Sequence, residues 1–352
     1  MEFLVDLNPL GVHRVLEPPL ALPQAATRLN AHLPAFADEI VLDVETLNID
    51  AASFVQLESV QAAGGPTVAA QIEKIVMQRG KMQNPQTGSG GMLLGKIRAI
   101  GPQYTGPLAM AKPGDTVATL VSLTLTPLVL HEIVDVQPRT HQVNVRGQAI
   151  LPSSAPAAVV PVDLPPSLVL AVLDVCGAPA QVARLVRDLP QNGHLLSVGA
   201  GKAGTLALAA ARDARPDVQL WVVDRLEGPL REVHEAGLCD GFLAVDAANS
   251  LAVRDAVLQW TGGQLCDVVV HMASLPDTEM SAILACKSRG KCLFFSMATR
   301  FAQVALGAEG VGADIELVIG NGYVTGHADM ALDLVRRDEK TRKLLEKRLG
   351  LG

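Results

Sequence analysis

The sequence predicts an α/β chain in two parts, a β-rich N-terminal domain followed by a parallel sheet flanked by helices. Three observations lead there. The short apolar run His194–Val198 ends in Gly199-Ala-Gly201-Lys-Ala-Gly204, a G-x-G-x-x-G turn, and an Ala/Leu-rich segment of high helix propensity follows at once. From there to about Arg336, short apolar runs alternate with helical segments, the pattern of parallel strands covered by helices. Before Leu151 the segments are short, alternating and punctuated by glycine and proline.

Taken in order, Gly11 to Pro34 is proline-punctuated and reads as mostly irregular. Glu39 to Asn48 alternates apolar and polar residues with the period of two that a half-buried strand requires. Ala51 to Gln61 and Val68 to Gln78 carry helical spacing on either side of Gly64-Gly65-Pro66, and Arg79-Gly80 closes the second helix. The glycine-dense loop Lys81 to Gly91 leads into a strand over Met92 to Ile100. Ala111 to Leu123 reads as a turn and a strand, and Leu128 to Val136 and Gln142 to Val145 add further strands. Prolines recur from Pro152 to Pro166, as in a semi-rigid connection.

Ser167 to Leu189 is expected to be one helix, with Ser167 as its N-cap and Pro190 beyond its end. After the glycine turn, strands are expected at Val218 to Val223, Phe242 to Val245, Asp267 to Val270, Lys291 to Ser296 and Ile315 to Ile319. Helices are expected at Asn249 to Trp260, Met280 to Arg289 and Ala328 to Arg336, and the charged tail Arg336 to Arg348 reads as a solvated closing helix. The expected domains are residues 1–165 for a β-rich substrate domain, 166–335 for a nucleotide-binding domain and 336–352 for the closing helix.

In the glycine turn, Gly199 permits the tight turn, Gly201 lets backbone approach a pyrophosphate, and Gly204 lets the helix pack on the strand, with Lys202 and Ala203 between them. Asp224 closes the next apolar run, where a carboxylate accepts hydrogen bonds from adenine ribose hydroxyls and repels a 2′-phosphate, so the cofactor is expected to be NAD. The adjacent Arg225 is the residue that would serve NADP instead. Ligands of such a sheet bind beyond the carboxyl ends of its strands, which adds Ser274 and Ser296 to the candidate cofactor residues.

The chain has 352 residues, 49% of them hydrophobic, enough to bury a large core in two domains. A net charge of −7 without basic clusters before the C-terminal segment points to a small-molecule partner and away from nucleic acid or an anionic membrane. The five scattered cysteines are odd in number and form no C-x-x-C pair, so neither a disulfide framework nor structural zinc is indicated, and a reducing cytoplasm fits best. The N-terminus MEFLVDLNPL lacks the features of a signal peptide, and no apolar run is long enough to span a membrane.

Hydride transfer is carried by the cofactor, so the first domain must supply acid/base groups. Its polar candidates are Asn48, Asp50, Lys81, Asn84, Thr87 and Ser89. Lys81 leads if it faces a partly desolvated cleft, where its pKa would fall into the range of a general base. A solvent-exposed lysine after a helix end is the plainer reading. Cys176 has no neighbouring base and reads as a core residue, and the first domain, with isolated histidines and no cysteine, offers no metal ligand set. No metal is expected.

This domain order, with Asp174-Val-Cys-Gly-Ala-Pro between the parts, resembles the medium-chain alcohol dehydrogenase superfamily. Within it, Leu47 to Phe54, Lys81 to Met92, Thr119 to Pro127, Phe295 to Thr299, Ala305 to Gly312 and Gly320 to Tyr323 are similar to the family of L-erythro-3,5-diaminohexanoate dehydrogenases of lysine fermentation. The resemblance implies a GroES-like first domain, a Rossmann-type second domain and a homodimer. It also implies NAD-dependent oxidative deamination of 3,5-diaminohexanoate to 5-amino-3-oxohexanoate with release of ammonia. The Gly-His-Glu of zinc enzymes appears here as Thr87-Gly-Ser-Gly-Gly, so the resemblance assigns no metal, and Lys81, Asn84 and Ser89 stand as the candidate catalytic residues. A zinc-free quinone or enoyl reductase of the superfamily, or a non-catalytic NAD-binding sensor, are the other functions this pattern admits.

Overall fold

The structure is a computed structural model that describes residues 3–5, 8–120, 122–296 and 298–351. Val121, within an expected strand, and Met297 lie outside the described residues. The chain divides into two compact units, Met1–Pro166 and Ser167–Gly352.

The first unit opens with β1 (Phe3–Leu4), β2 (Val15–Glu17), β3 (Arg28–Leu29) and β4 (Ala35–Phe36), which pair as β1 parallel to β4 and β2 antiparallel to β3. The stretch expected to be irregular is therefore ordered. Its order comes from Glu39, wholly buried at the start of β5 (Glu39–Asn48). One Glu39 oxygen accepts from His13 Nε2 at 2.7 Å and Arg14 Nε at 2.9 Å, and the other accepts from Arg14 Nη2 at 2.6 Å and the Phe36 N–H at 2.7 Å. Arg14 also donates to the carbonyls of His32 and Pro34. Local periodicity carries no trace of a network that joins residues so far apart in sequence.

β6 (Met92–Ile100), β7 (Thr116–Thr119), β8 (Leu128–Gln137), β9 (Gln142–Pro152) and β10 (Ala157–Val159) complete an antiparallel sheet of order β10-β7-β6-β5-β9-β8. Central β5 ends at Asn48, which pairs with Met92 on one side and Gln142 on the other. The helices α1 (Ala51–Ala62) and α2 (Val68–Arg79) begin at the side-chain caps Asp50 and Thr67, and α2 ends at the left-handed Gly80. Phe54, Leu57 and Ile72 from these helices join Leu42, Leu47 and Leu93 of the sheet in one apolar core.

The second unit runs α3 (Pro166–Leu173), α4 (Gly177–Arg187), β11 (His194–Val198), α5 (Lys202–Ala214), β12 (Gln219–Asp224), α6 (Glu227–Glu235), β13 (Gly241–Ala244), α7 (Ser250–Trp260), β14 (Cys266–His271), α8 (Glu279–Ala285), β15 (Cys286–Phe294), α9 (Phe301–Gly310), β16 (Glu316–Ile319), α10 (His327–Arg337) and α11 (Glu339–Arg348). Its six parallel strands lie in the order β13-β12-β11-β14-β15-β16, the doubly wound arrangement, and the order reverses between β11 and β14. The predicted fold class is the one observed.

Two expected helices are corrected. Residues 167–189 form two helices bent by 53°, and Ser167 lies inside the first of them and does not cap it. The bend is closed by tighter i→i+3 bonds, Val175 N–H to the Val172 carbonyl and Cys176 N–H to that of Leu173. The helix expected over Met280 to Arg289 stops at Ala285, because Cys286 already pairs with Cys266 of β14, so sheet pairing overrides helical spacing. Among the described residues no single helix is long and apolar enough to cross a membrane.

The Glu39 network sets a testable stability. Burial opposes its ionisation, but the bonds from Arg14 and His13, the Arg14 charge and the Phe36 N–H outweigh this and hold the carboxyl below the usual glutamate range. Its contribution is present above the unfolded glutamate pKa and lost as pH falls through the lower folded value. Glu39→Ala leaves Arg14 buried without its anion and should cost about 3 to 5 kcal/mol in urea unfolding at neutral pH. The gap to the parent should narrow in acid, and a cost below about 1 kcal/mol at neutral pH would contradict the assignment.

Candidate active site

Strand β11 delivers Gly199 to the carboxyl edge of the parallel sheet, next to the point where strand order reverses. Gly199 adopts φ 113°, and a Cβ on Gly204 would stand 2.0 Å from the Gly199 carbonyl oxygen, so α5 can sit this close to the turn only with glycine there. Gly201 caps α5 with nothing near its missing Cβ. That open space beside the first N–H groups of a helix is where an anionic group is accommodated.

Asp224 ends β12 and turns back on the glycine turn: its Oδ2 accepts from the Ala200 N–H at 2.9 Å and its Oδ1 from the Leu226 N–H at 3.0 Å. A cavity of about 420 Å³ is bounded by Ala200, Gly201, Lys202, Asp224, Glu232 and Arg348, among others. The structure thus brings Gly199, Gly201, Lys202, Gly204 and Asp224 together, with Ala203 in the first turn of α5. Lys202 is held at 2.5 Å by Asp174, which the bend between α3 and α4 leaves outside either helix. Arg225 is exposed beside Asp224. Ser274 is exposed in the loop after β14, and Ser296, buried after β15, accepts from the Ala298 N–H at 3.2 Å; neither lines this cavity.

Arg348 is the residue that the sequence reading missed. Its guanidinium donates to the Ala200 carbonyl and to Thr205 Oγ1, both at 3.0 Å, to the Pro229 carbonyl at 3.2 Å and to Glu232 at 2.9 Å. The closing helix α11 is therefore not simply solvated: it buries Thr341, Leu344 and Leu345 and ties the glycine turn to α6. One arginine in a charged run carries no sequence signal that separates it from its neighbours.

In the first unit, Gly91 is pressed against the end of β5, for a Cβ there would lie 2.0 Å from the Asn48 carbonyl oxygen. This approach sets the Lys81 to Gly91 loop beside the start of α1. Ser53 of α1, wholly buried, places its hydroxyl 2.6 Å from Thr87 Oγ1 and 3.0 Å from Ser89 Oγ, and the latter two are 3.1 Å apart. Three hydroxyls thus form a connected cluster from buried Ser53 to exposed Thr87. Asp50 accepts from the Ser53 N–H at 2.9 Å. Such a cluster can pass a proton along, each oxygen accepting one while releasing its own.

Lys81 and Asn84 are not placed as expected. Lys81 is neither exposed nor turned toward a cleft: its side chain is wholly buried, and Nζ donates to the Pro23 carbonyl at 2.8 Å and to that of Gln24 at 3.1 Å. Burial, helped by the charge of Arg79, lowers its pKa to about 8. Asn84 is buried too, with Nδ2 donating to Gln56 Oε1 at 2.7 Å and Oδ1 accepting from the Gln86 N–H at 2.9 Å. Both brace the loop. Ser89 is the candidate that remains half-open at the cluster.

Among the described residues no group of three His, Cys, Asp or Glu side chains is arranged to hold a metal. The five cysteines are free and buried, and burial pushes the Cys176 thiol up to about 12, which removes it as a nucleophile.

Residues 13–161 match the L-erythro-3,5-diaminohexanoate dehydrogenase N-terminal domain. The chain is 42% identical to the L-erythro-3,5-diaminohexanoate dehydrogenase of Acetoanaerobium sticklandii over 338 residues, 96% of this chain and 97% of the relative. It is 43% identical to the enzyme of the same name from Fusobacterium nucleatum subsp. nucleatum over 335 residues, 95% and 96% of the two chains. Among solved structures, an alcohol dehydrogenase from Thermotoga maritima aligns with TM-score 0.56 at 13% identity, covering 90% of this chain and 85% of that one. A mycobacterial quinone oxidoreductase aligns with TM-score 0.55 at 14% identity, covering 89% and 88%. These two share the fold.

The placement of Lys81 makes a pH prediction. Its folded pKa of about 8 lies below the ordinary 10.5, so between these values the unfolded chain holds a proton that the folded chain has released, and stability attributable to Lys81 rises with pH. Urea unfolding of the parent and Lys81→Met at pH 7 and pH 9.5 should show the parent gaining relative to the variant at the higher pH. A constant difference between the two would show that the ammonium is not buried.

Proposed function

The chain belongs to the L-erythro-3,5-diaminohexanoate dehydrogenase family and is an oxidoreductase, and from that premise we propose that it removes the 3-amino group of 3,5-diaminohexanoate oxidatively, with NAD as acceptor. The observation that carries the reading is near-full-length similarity to two dehydrogenases of that name. The balance is one aminium carbon, NAD⁺ and water in, and one ketone, ammonium, NADH and a proton out.

The residues present fit a dinucleotide. Gly201 and the N-terminus of α5 would hold the pyrophosphate, and Asp224 the adenine ribose, as the open space at Gly201 and the 420 Å³ cavity beside it allow. When bound, the nicotinamide supplies the two-electron acceptor. The chain's own part is protonic. The substrate nitrogen must lose a proton before its carbon can be oxidised, and the water that then adds to the iminium carbon must lose another. Ser89 is the hydroxyl we assign to receive them; Ser53 and Thr87 carry the first toward solvent, and the second returns to the nitrogen, which departs with it and the carbinol O–H proton as ammonium, leaving the ketone. Lys81 and Asn84 act as positioning residues that fix this loop.

The reading is tested by NADH absorbance with 3,5-diaminohexanoate, lysine and β-lysine offered separately; the diamine should be the substrate turned over, and no NADH from it would defeat the proposal. Ser89→Ala should lower turnover by roughly 10² to 10⁴ with NAD affinity little changed. NAD should bind far better than NADP, and Asp224→Ser should narrow the preference by about 1 to 3 kcal/mol. Equal affinities of the parent for both dinucleotides would remove Asp224 from that role. Dialysis against a chelator should leave activity intact.

A further inference from the structure

Asp50 has two carboxylate oxygens and the fold uses one. Its Oδ1 accepts from the Ser53 N–H at 2.9 Å and caps α1. Its Oδ2 is shielded from solvent and has no hydrogen-bond partner among the described residues. A helix cap does not require the second oxygen or the charge, since asparagine and serine cap about as well. An anionic oxygen held out of water without a partner is costly, and the cap gives no reason for it.

A second segment adjoins the start of α1. The Leu123 N–H donates to the Gly91 carbonyl at 2.6 Å, while a Cβ on Gly91 would lie 2.8 Å from the Asp50 nitrogen, so the turn of residues 122–126 and the start of α1 meet at one glycine. That turn carries Thr124 and Thr126, 1% and 0% exposed, whose hydroxyl oxygens also have no partner among the described residues. Three shielded oxygens, one of them anionic, therefore stand unused on two adjoining segments. This is the complement of an alkylammonium, a compact cation with three N–H donors and no acceptor.

We propose that Asp50, with Thr124 and Thr126, binds the unreacting ammonium of a diamino acid substrate and thereby sets specificity for a second amino group. The proposal rests on the reaction assigned above. A diamine brings two cations with opposite needs: the charge at the reacting carbon must be lost before oxidation, whereas the other persists from substrate to product. A fixed carboxylate suits the persistent charge, and the neutral hydroxyls of Ser53, Thr87 and Ser89 suit the nitrogen that must give up its proton. Asp50 is accordingly a specificity residue, and discrimination against a substrate lacking the amine follows from leaving its oxygen buried and unpaired.

The test compares kcat/KM for 3,5-diaminohexanoate and for 3-aminohexanoate in the parent and in Asp50→Asn, which keeps the cap and removes the charge. The ratio of the two values should fall by about 10²-fold in the variant, with the loss confined to the diamine and NAD affinity unchanged. Asp50→Ser, also a capping residue, serves as the second variant and should give the same collapse. If the parent turns over the diamine while both variants keep its full ratio, the Asp50 assignment is overturned alone. If the parent yields no NADH from the diamine, the assigned reaction fails and this inference with it.

Discussion

The contact on which the second unit depends is the packing of Gly204 against the Gly199 carbonyl, a backbone-to-backbone approach that any side chain at Gly204 would prevent. It brings α5 down onto the end of β11 and so presents the unpaired N–H groups of the helix at the carboxyl edge of the sheet. Everything else at the turn reinforces that position. Asp224 from β12 holds the Ala200 N–H, while Thr205 from α5 and Arg348 from α11 share the Ala200 carbonyl. One residue, Ala200, is thus gripped on both its backbone polar groups by three separate elements. Bonds to charged groups contribute about 1.5 to 3 kcal/mol when shielded and less when half-exposed, as these are. Together they restrict the turn to one shape, which lowers the ordering cost for the dinucleotide proposed to bind there.

The first unit repeats the device with a different outcome. Gly91 lies against the end of β5, and the loop before it is fastened at Lys81 to the N-terminal segment and at Asn84 to α1. What the fastening leaves free is the set of hydroxyls and Asp50. A loop of this glycine content would otherwise sample many conformations, so the buried lysine and asparagine are what make a positioned hydroxyl cluster possible.

A group with a displaced pKa does not by that fact act in chemistry. Lys81 has the lowered pKa expected of a general base, yet two carbonyls occupy its ammonium and no surface of it is open. Glu39 is likewise displaced, and its four bonds all serve to hold the N-terminal segment on β5. Burial perturbs structural and functional groups alike, and the number of unused lone pairs or protons is what separates them. On that criterion Asp50, with one carboxylate oxygen unused, differs from Lys81, although the sequence ranked it below Lys81.

From its residues alone the sequence specified the strand, turn and helix around Gly199 to Gly204, the carboxylate at Asp224, the short strands of the first unit and the alternating strands and helices of the second. These are local matters: glycine spacing, apolar periodicity and capping residues act within a few positions of the chain. It also held the family, because segments such as Lys81 to Met92 are long enough to be specific. The folded chain shows that residues 167–189 bend, that the helix after Met280 yields to strand β15 at Cys286, and that Arg348 reaches back to Ala200. It alone decided that Lys81 points inward, since exposure depends on the distant Pro23 and Gln24 carbonyls. In each case the deciding partner lies far along the chain, and an interaction between remote residues leaves no periodic mark in either neighbourhood.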